Sequence, residues 1–149
     1  MKILVINGPN LNLLGRRQPE VYGSETLADV EAKLKNLGKE LGLKLTFKQS
    51  NKEGELVDYI QATLDDGTDG LLINPGAYGH TSIAMRDALL AVGKPFVEVH
   101  VSNVYGRETF RKQSMLSDIA AGVIAGFGTY GYELGLKGLN AALKTVIQA

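Results

Sequence analysis

The chain has no cysteine. That absence removes disulfides, thiol nucleophiles and thiolate metal ligands, and it is compatible with a reducing compartment. An excess of one charge sign is missing too: 16 Lys and Arg stand against 16 Asp and Glu. The composition therefore offers no electrostatic footprint for nucleic acid or an anionic membrane. No run reaches the roughly 18 apolar residues of a membrane span. Met1 leads straight into a strand pattern, without the charged region, apolar stretch and cleavage site of a secretory signal. Walker and dinucleotide fingerprints are also absent, since NGPNLNLLG lacks the G-x-G-x-x-G spacing. What remains is 149 residues with 44% hydrophobic content. A single cytoplasmic domain spanning 1–149, with no nucleic-acid or membrane partner, is the expectation.

What is present is organised around the first strand and the loop leaving it. Lys2 to Ile6 is a β-branched apolar run of the kind buried on both faces of a parallel sheet. It breaks at Gly8-Pro9, and a long loop follows until a helix start at Ser24 or Thr26. Loops joining a strand to a helix typically have about two to six residues, and longer ones usually carry function. This one holds Asn10, Asn12, Arg16, Arg17 and Tyr22.

The remaining pattern alternates. A helix from Thr26 ends at Gly42; a half-buried strand covers Leu43 to Gln49; a second helix spans Asn51 to Asp66. Strands at Gly70–Asn74 and Phe96–Val101 flank a helix starting near His80-Thr81-Ser82. A small-residue strand over Ile119–Phe127, begun either directly or within a preceding short helix, comes before the last helix, with Tyr132, Leu136, Leu139, Leu143 and Val146 on one face. Five strands alternating with helices predict an α/β three-layer sandwich, with a flavodoxin-like parallel sheet of order 2-1-3-4-5.

That order gathers three polar clusters at one sheet edge: Asn10, Arg17 and Tyr22; Asn74, Gly76 and His80; Glu98, His100 and Ser102. His100 is either a hydrogen-bonded structural histidine or a general acid or base, for which a reference pKa of roughly 6.5 is suited. Glu98, two residues earlier, shares its face and would orient or charge the imidazole. His80 is equally a hydrogen-bonder at a helix start. Two histidines and a glutamate at this spacing match no metal-ligand motif, so no metal is expected. Arg17 and Tyr22 are a solvated arginine and a packing aromatic, or a base and the cation that activates it. Tyrosine ordinarily titrates near 10, and lowering that by about two units takes about 2.7 kcal/mol, within reach of close cations. Arg111, with Arg107 four residues earlier, is an exposed basic face or a carboxylate clamp. Gly76 and the amides after it offer a weak anion nest. Asp87 lies off the core stripe of its helix.

Four stretches, NGPNLNLLGRRQPEVYG, GLLINPGAYGHTSIAMRDAL, VEVHVSN and AAGVIAGFGTYGY, together resemble the type II 3-dehydroquinate dehydratases from Lys2 to about Leu139. The resemblance implies a flavodoxin-like fold, a homododecamer built as a tetramer of trimers, and no metal or organic cofactor. It implies dehydration of 3-dehydroquinate to 3-dehydroshikimate by anti elimination through an enolate, in the shikimate pathway or in quinate catabolism. By matching motif position, Tyr22 resembles the base, Arg17 the residue lowering its pKa, Asn10 the holder of the enolate-stabilising water, and His100 the acid. Asn74 would position His100. The Val101 and Ser102 amides, His80 and Arg111 would contact substrate, and Asp87 would reach across a subunit interface. Gln18 stands where glutamate is usual, Gly79 where threonine is common, and Tyr105-Gly106 where histidine-alanine is frequent. A nucleotide- or flavin-binding module would use the same edge, but the first loop lacks a hydroxyl-rich phosphate cradle.

Overall fold

β-branched and leucine-rich runs form the five strands of one parallel sheet in this computed structural model: β1 (Lys2–Asn7), β2 (Lys44–Gln49), β3 (Gly70–Asn74), β4 (Phe96–His100) and β5 (Gly122–Ala125). The order is β2-β1-β3-β4-β5, as the alternation of elements predicts. The structure describes residues 1–148, and their side chains apart from those of residues 21–22 and 146–148. Strands β1, β3 and β4 are buried along nearly their whole length, whereas β2 at the edge is half-exposed.

Period-two alternation sends successive side chains to opposite faces. Ile3, Val5, Leu72, Val97 and Val99 pack against Val30, Leu34 and Leu37 of α2 (Leu27–Leu41) and against Tyr132, Leu136, Leu139 and Leu143 of α5 (Tyr130–Gln148). Leu4, Ile6, Leu71, Ile73 and Phe96 pack against Leu56 and Ile60 of α3 (Glu53–Ala62) and Met85, Ala88, Leu89 and Val92 of α4 (Ile83–Val92). Helices therefore cover both faces. No described helix is long and apolar enough to cross a membrane.

Helix starts follow local chemistry. Thr26 and Asp29 form a reciprocal capping box on α2, and the Ser82 hydroxyl accepts the Met85 N–H at the start of α4. Other boundaries differ from the sequence pattern. Helix α3 stops at Ala62 rather than Asp66, where the Thr63 hydroxyl donates to the Ile60 carbonyl. Strand β5 is shorter than Ile119–Phe127, because Ser117–Ile119 closes into a 3₁₀ turn and Gly126 bends the chain beyond it. The first loop is not irregular throughout: Leu11–Leu13 forms a 3₁₀ turn and Pro19–Tyr22 a short helix, α1, begun by proline at its first position.

The chain runs from β1 outward to β2 and then returns to β3 on the other side of β1. Ligands bind at such a reversal, beyond the carboxyl ends of the strands. There Gly8 donates its N–H to the Asn74 carbonyl at 2.8 Å. A Cβ on Gly8 would lie 2.2 Å from the Pro75 carbonyl oxygen, so only glycine allows the two loops to meet this closely.

Candidate active site

A cleft opens at this reversal, lined from the first loop by Asn10 and Arg17, from the β3 end by Asn74, Gly76 and His80, and from the β4 end by His100, Val101, Ser102, Arg107 and Arg111. Thus ten of the predicted site residues share one cavity. Glu98 lies directly beneath it. Asp87 does not line it; it sits exposed on α4. The Tyr22 backbone closes α1, but its side chain lies outside the described residues.

Glu98 and His100 are both buried, and the His100 Nε2 contacts Glu98 Oε2. Same-face placement two residues apart produces that pairing, as period two predicts. Two further donors converge on Glu98: Ser117 Oγ donates to Oε1 at 2.7 Å, and Ser114 Oγ reaches both oxygens at 3.0 and 3.1 Å. Burial pushes the Glu98 carboxyl up. The hydrogen bond and charge of His100, with the two hydroxyls, outweigh it and hold the group below the usual value. A carboxylate accepts only, so Nε2 carries the proton and Nδ1 is the nitrogen His100 offers to the cleft.

His80 is stacked on His100, with ring centroids 5.9 Å apart and planes 22° from parallel. Its Nδ1 lies 2.8 Å from the Gln113 carbonyl oxygen. That oxygen can only accept, so His80 carries its proton on Nδ1 and turns the opposite nitrogen outward. His80 is thus held by the loop after β4, and Ser82 caps α4.

Asn74 gives its amide N–H to the Tyr132 hydroxyl at 2.9 Å and accepts the Gly76 N–H at 3.1 Å. The Tyr132 hydroxyl in turn donates to Asn7 Oδ1 at 2.6 Å. This buried relay ties the ends of β1 and β3 to α5. Burial pushes the Tyr132 phenol well above its ordinary range, so it stays neutral. The sequence pattern marks Tyr132 only as core. Of the amides expected to form a nest at Gly76, that of Gly76 itself donates to Asn74 Oδ1.

The rim is cationic. Arg111 ends the 3₁₀ turn Thr109–Arg111 and Arg107 is the extended residue after the turn Val104–Gly106, so the two do not share one helix; Glu108 between them holds both, at 3.7 and 2.9 Å. The Arg111 hydrogen bond, followed by backbone contacts and the charges of both arginines, lowers the Glu108 carboxyl. Arg107 also donates to Ser102 Oγ at 3.3 Å. Sequence reasoning missed Glu108, although its place between two arginines was the available signal. The first loop is fixed by the Asn10 N–H on Asn51 Oδ1 at 2.9 Å, by Gln49 on the Gly8 carbonyl, and by Leu14 plugged into the core. Asn10 itself adopts a left-handed conformation, φ 68°, which asparagine tolerates.

Gly79 has a packing reason here. A Cβ at this position would lie 2.7 Å from the Pro75 ring and 3.5 Å from His100 Cε1. A Cβ at Gly106 would meet Asn103 Nδ2 at 3.7 Å, an ordinary contact, so nothing around it demands glycine. Among the described residues, no group of His, Asp and Glu is arranged to hold a metal ion. The site combines a buried carboxylate–imidazole pair with three arginines, a composition suited to proton transfer on a small anion.

Residues 1–140 match the family described as Dehydroquinase class II. The 3-dehydroquinate dehydratase of Prochlorococcus marinus (strain NATL1A) is 56% identical over 146 residues, 98% of this chain and 100% of that one. Catabolic 3-dehydroquinase 1 of Neosartorya fischeri is 58% identical over 135 residues, covering 91% of this chain and 89% of its own. The crystal structure of type II dehydroquinase from Butyrivibrio crossotus DSM 2876 superposes with a TM-score of 0.92 at 45% identity, covering 94% of this chain and 97% of that one. Sequence and fold agree over nearly the whole length, and the chain belongs to the class II dehydroquinase family.

Proposed function

We propose that this protein removes water from 3-dehydroquinate to give 3-dehydroshikimate, by anti elimination through an enolate. The step serves shikimate biosynthesis or quinate catabolism alike. The observation that carries the reading is the Glu98-anchored His100 opening into a cleft rimmed by Arg17, Arg107 and Arg111. Elimination beside a ketone needs a base for the acidic C–H, a stabiliser for the enolate oxygen and an acid for the leaving hydroxyl.

In this reading Tyr22 takes the C2 proton, and Arg17 beside it favours the tyrosinate. Asn10 holds the water that stabilises the enolate oxygen. His100, carrying a proton on each ring nitrogen in this step, then delivers the one on Nδ1 to the departing hydroxyl, which leaves as water, and keeps its Nε2 proton on Glu98. The substrate carboxylate and hydroxyls fall to Arg111, His80 and the Val101 and Ser102 amides. Asn74 and Gly76 shape the floor, and Arg107 supports Ser102 from the rim. Side chains supply every step, with no cofactor. We further infer that residues 1–149 act as one cytoplasmic domain assembled into a homododecamer, a tetramer of trimers, in which exposed Asp87 completes a neighbouring subunit's site.

The test is direct. On addition of 3-dehydroquinate, the purified protein should produce the conjugated enone absorbance of the product. A folded protein giving no such absorbance contradicts the reading.

A further inference from the structure

Ser114 and Ser117 belong to an irregular segment that no part of the elimination uses, yet both hydroxyls point at Glu98. The hydrogen bonding of Ser114 is fully determined. Its oxygen accepts the Leu116 N–H at 3.0 Å and the Ser117 N–H at 3.2 Å. A hydroxyl has two lone pairs and one proton, so with both lone pairs engaged its proton has only Glu98 to go to. It cannot turn round and accept. A protonated Glu98 would therefore meet an O–H from Ser114 where it needs an acceptor, and a buried donor facing a donor is costly. The arrangement favours the carboxylate, and the carboxylate in turn favours a proton on His100 Nε2.

We propose that Ser114 and Ser117 are positioning residues that set which nitrogen His100 presents to the substrate. They act through Glu98, without touching the cleft themselves. The segment bearing them is strapped in place from two sides: the Met115 N–H donates to the Gly79 carbonyl at 2.7 Å, and Arg86 both donates to the Met115 carbonyl at 2.9 Å and pairs with Asp118. His80 closes the far end on Gln113. The same segment thus imposes opposite tautomers on the two stacked rings: Nδ1–H on His80 by a carbonyl, Nε2–H on His100 by a carboxylate.

The chain has only these two histidines, so their ring ¹⁵N shifts can be assigned without ambiguity. Above about pH 8, where an ordinary imidazole is neutral, the wild type should show a proton on Nε2 of His100 and on Nδ1 of His80. In Ser114→Ala/Ser117→Ala, the His100 signal should move toward a mixture of tautomers while His80 keeps its own. The kcat should fall about 10- to 100-fold with KM within about 3-fold, the size expected for losing hydrogen bonds to a charged group. Wild-type His100 protonated on Nδ1 alone overturns the proposal without any variant. An unchanged His100 shift in the double variant overturns it whatever the rate does, and so does a changed shift with wild-type kcat. Should the double variant not fold, Ser117→Ala alone carries the same comparison. The kinetic arm rests on the function proposed above, but the ring shifts do not. An inactive wild type would sink that function and leave the tautomer assignment to be judged by the shifts.

Discussion

Glu98 and Arg17 serve the same cleft from opposite kinds of structure. Glu98 sits on a central strand, fully buried, with its oxygens engaged by His100, Ser114 and Ser117. Arg17 lies exposed on a surface loop whose fixed points are the Asn10 amide, the Gly8 carbonyl and the buried Leu14. Packing sets the Glu98–His100 side of the site before any substrate arrives. The loop side is anchored at Leu14 and by the bonds to Asn51 and Gln49, so exposed side chains between those points are expected to matter more to the reaction than to the fold. The difference predicts that activity and stability are coupled in one half of the site and more nearly separable in the other.

Replacing Glu98 should break the comparison hardest. Glu98→Gln leaves buried donors facing an amide and should cost about 3 kcal/mol at neutral pH, read from urea midpoints. The pH dependence has a definite sign. The Glu98 carboxyl is lowered in the fold from a reference of 4.5. Its contribution is therefore fully present above that value and is lost as pH falls through the lower folded one. Glu98→Gln should accordingly show a shallower loss of stability on acidification than the wild type. An equally steep acid limb would mean other carboxylates carry it.

Leu14→Ala comes next. It removes a buried anchor of the loop and should cost about 2 kcal/mol, with a loss of turnover through the displaced loop. A stable variant of wild-type rate would show that the loop's hydrogen bonds suffice. Gly79→Ala should cost about 1 kcal/mol or more, because the Pro75 ring must shift to admit the methyl group. A thermal-unfolding midpoint at or above wild type would show that the ring yields freely. The smallest effect on stability belongs to Arg17→Ala, within about 0.5 kcal/mol. Its turnover should nevertheless fall about 100-fold or more if Arg17 activates the base.

The sequence made the strands legible where the pattern was unbroken. Gly70–Asn74 matches residue for residue because an apolar run stands between a glycine and a proline. Glu98 and His100 were paired correctly because period two is a local rule. The partners of Glu98 were not legible: Ser114 and Ser117 lie 16 and 19 residues away in a segment without periodicity. The Tyr132–Asn7 bond spans 125 residues, and in a helix pattern Tyr132 reads simply as apolar. The bond from the Gly76 N–H to Asn74 was not legible either, since spacing shows where amides are but not what already occupies them.

The division of labour between Tyr22 and His100 is tested most directly by hydrogen exchange at C2 of the substrate in deuterated water. Exchange by the wild type or by His100→Ala must first be visible, because a closed site can return the same proton. Tyr22→Phe should then abolish both exchange and dehydration. His100→Ala should lose dehydration by about 10²- to 10⁴-fold while exchange persists, since the enolate still forms and is reprotonated. Exchange retained in Tyr22→Phe and abolished in His100→Ala would reverse the two roles.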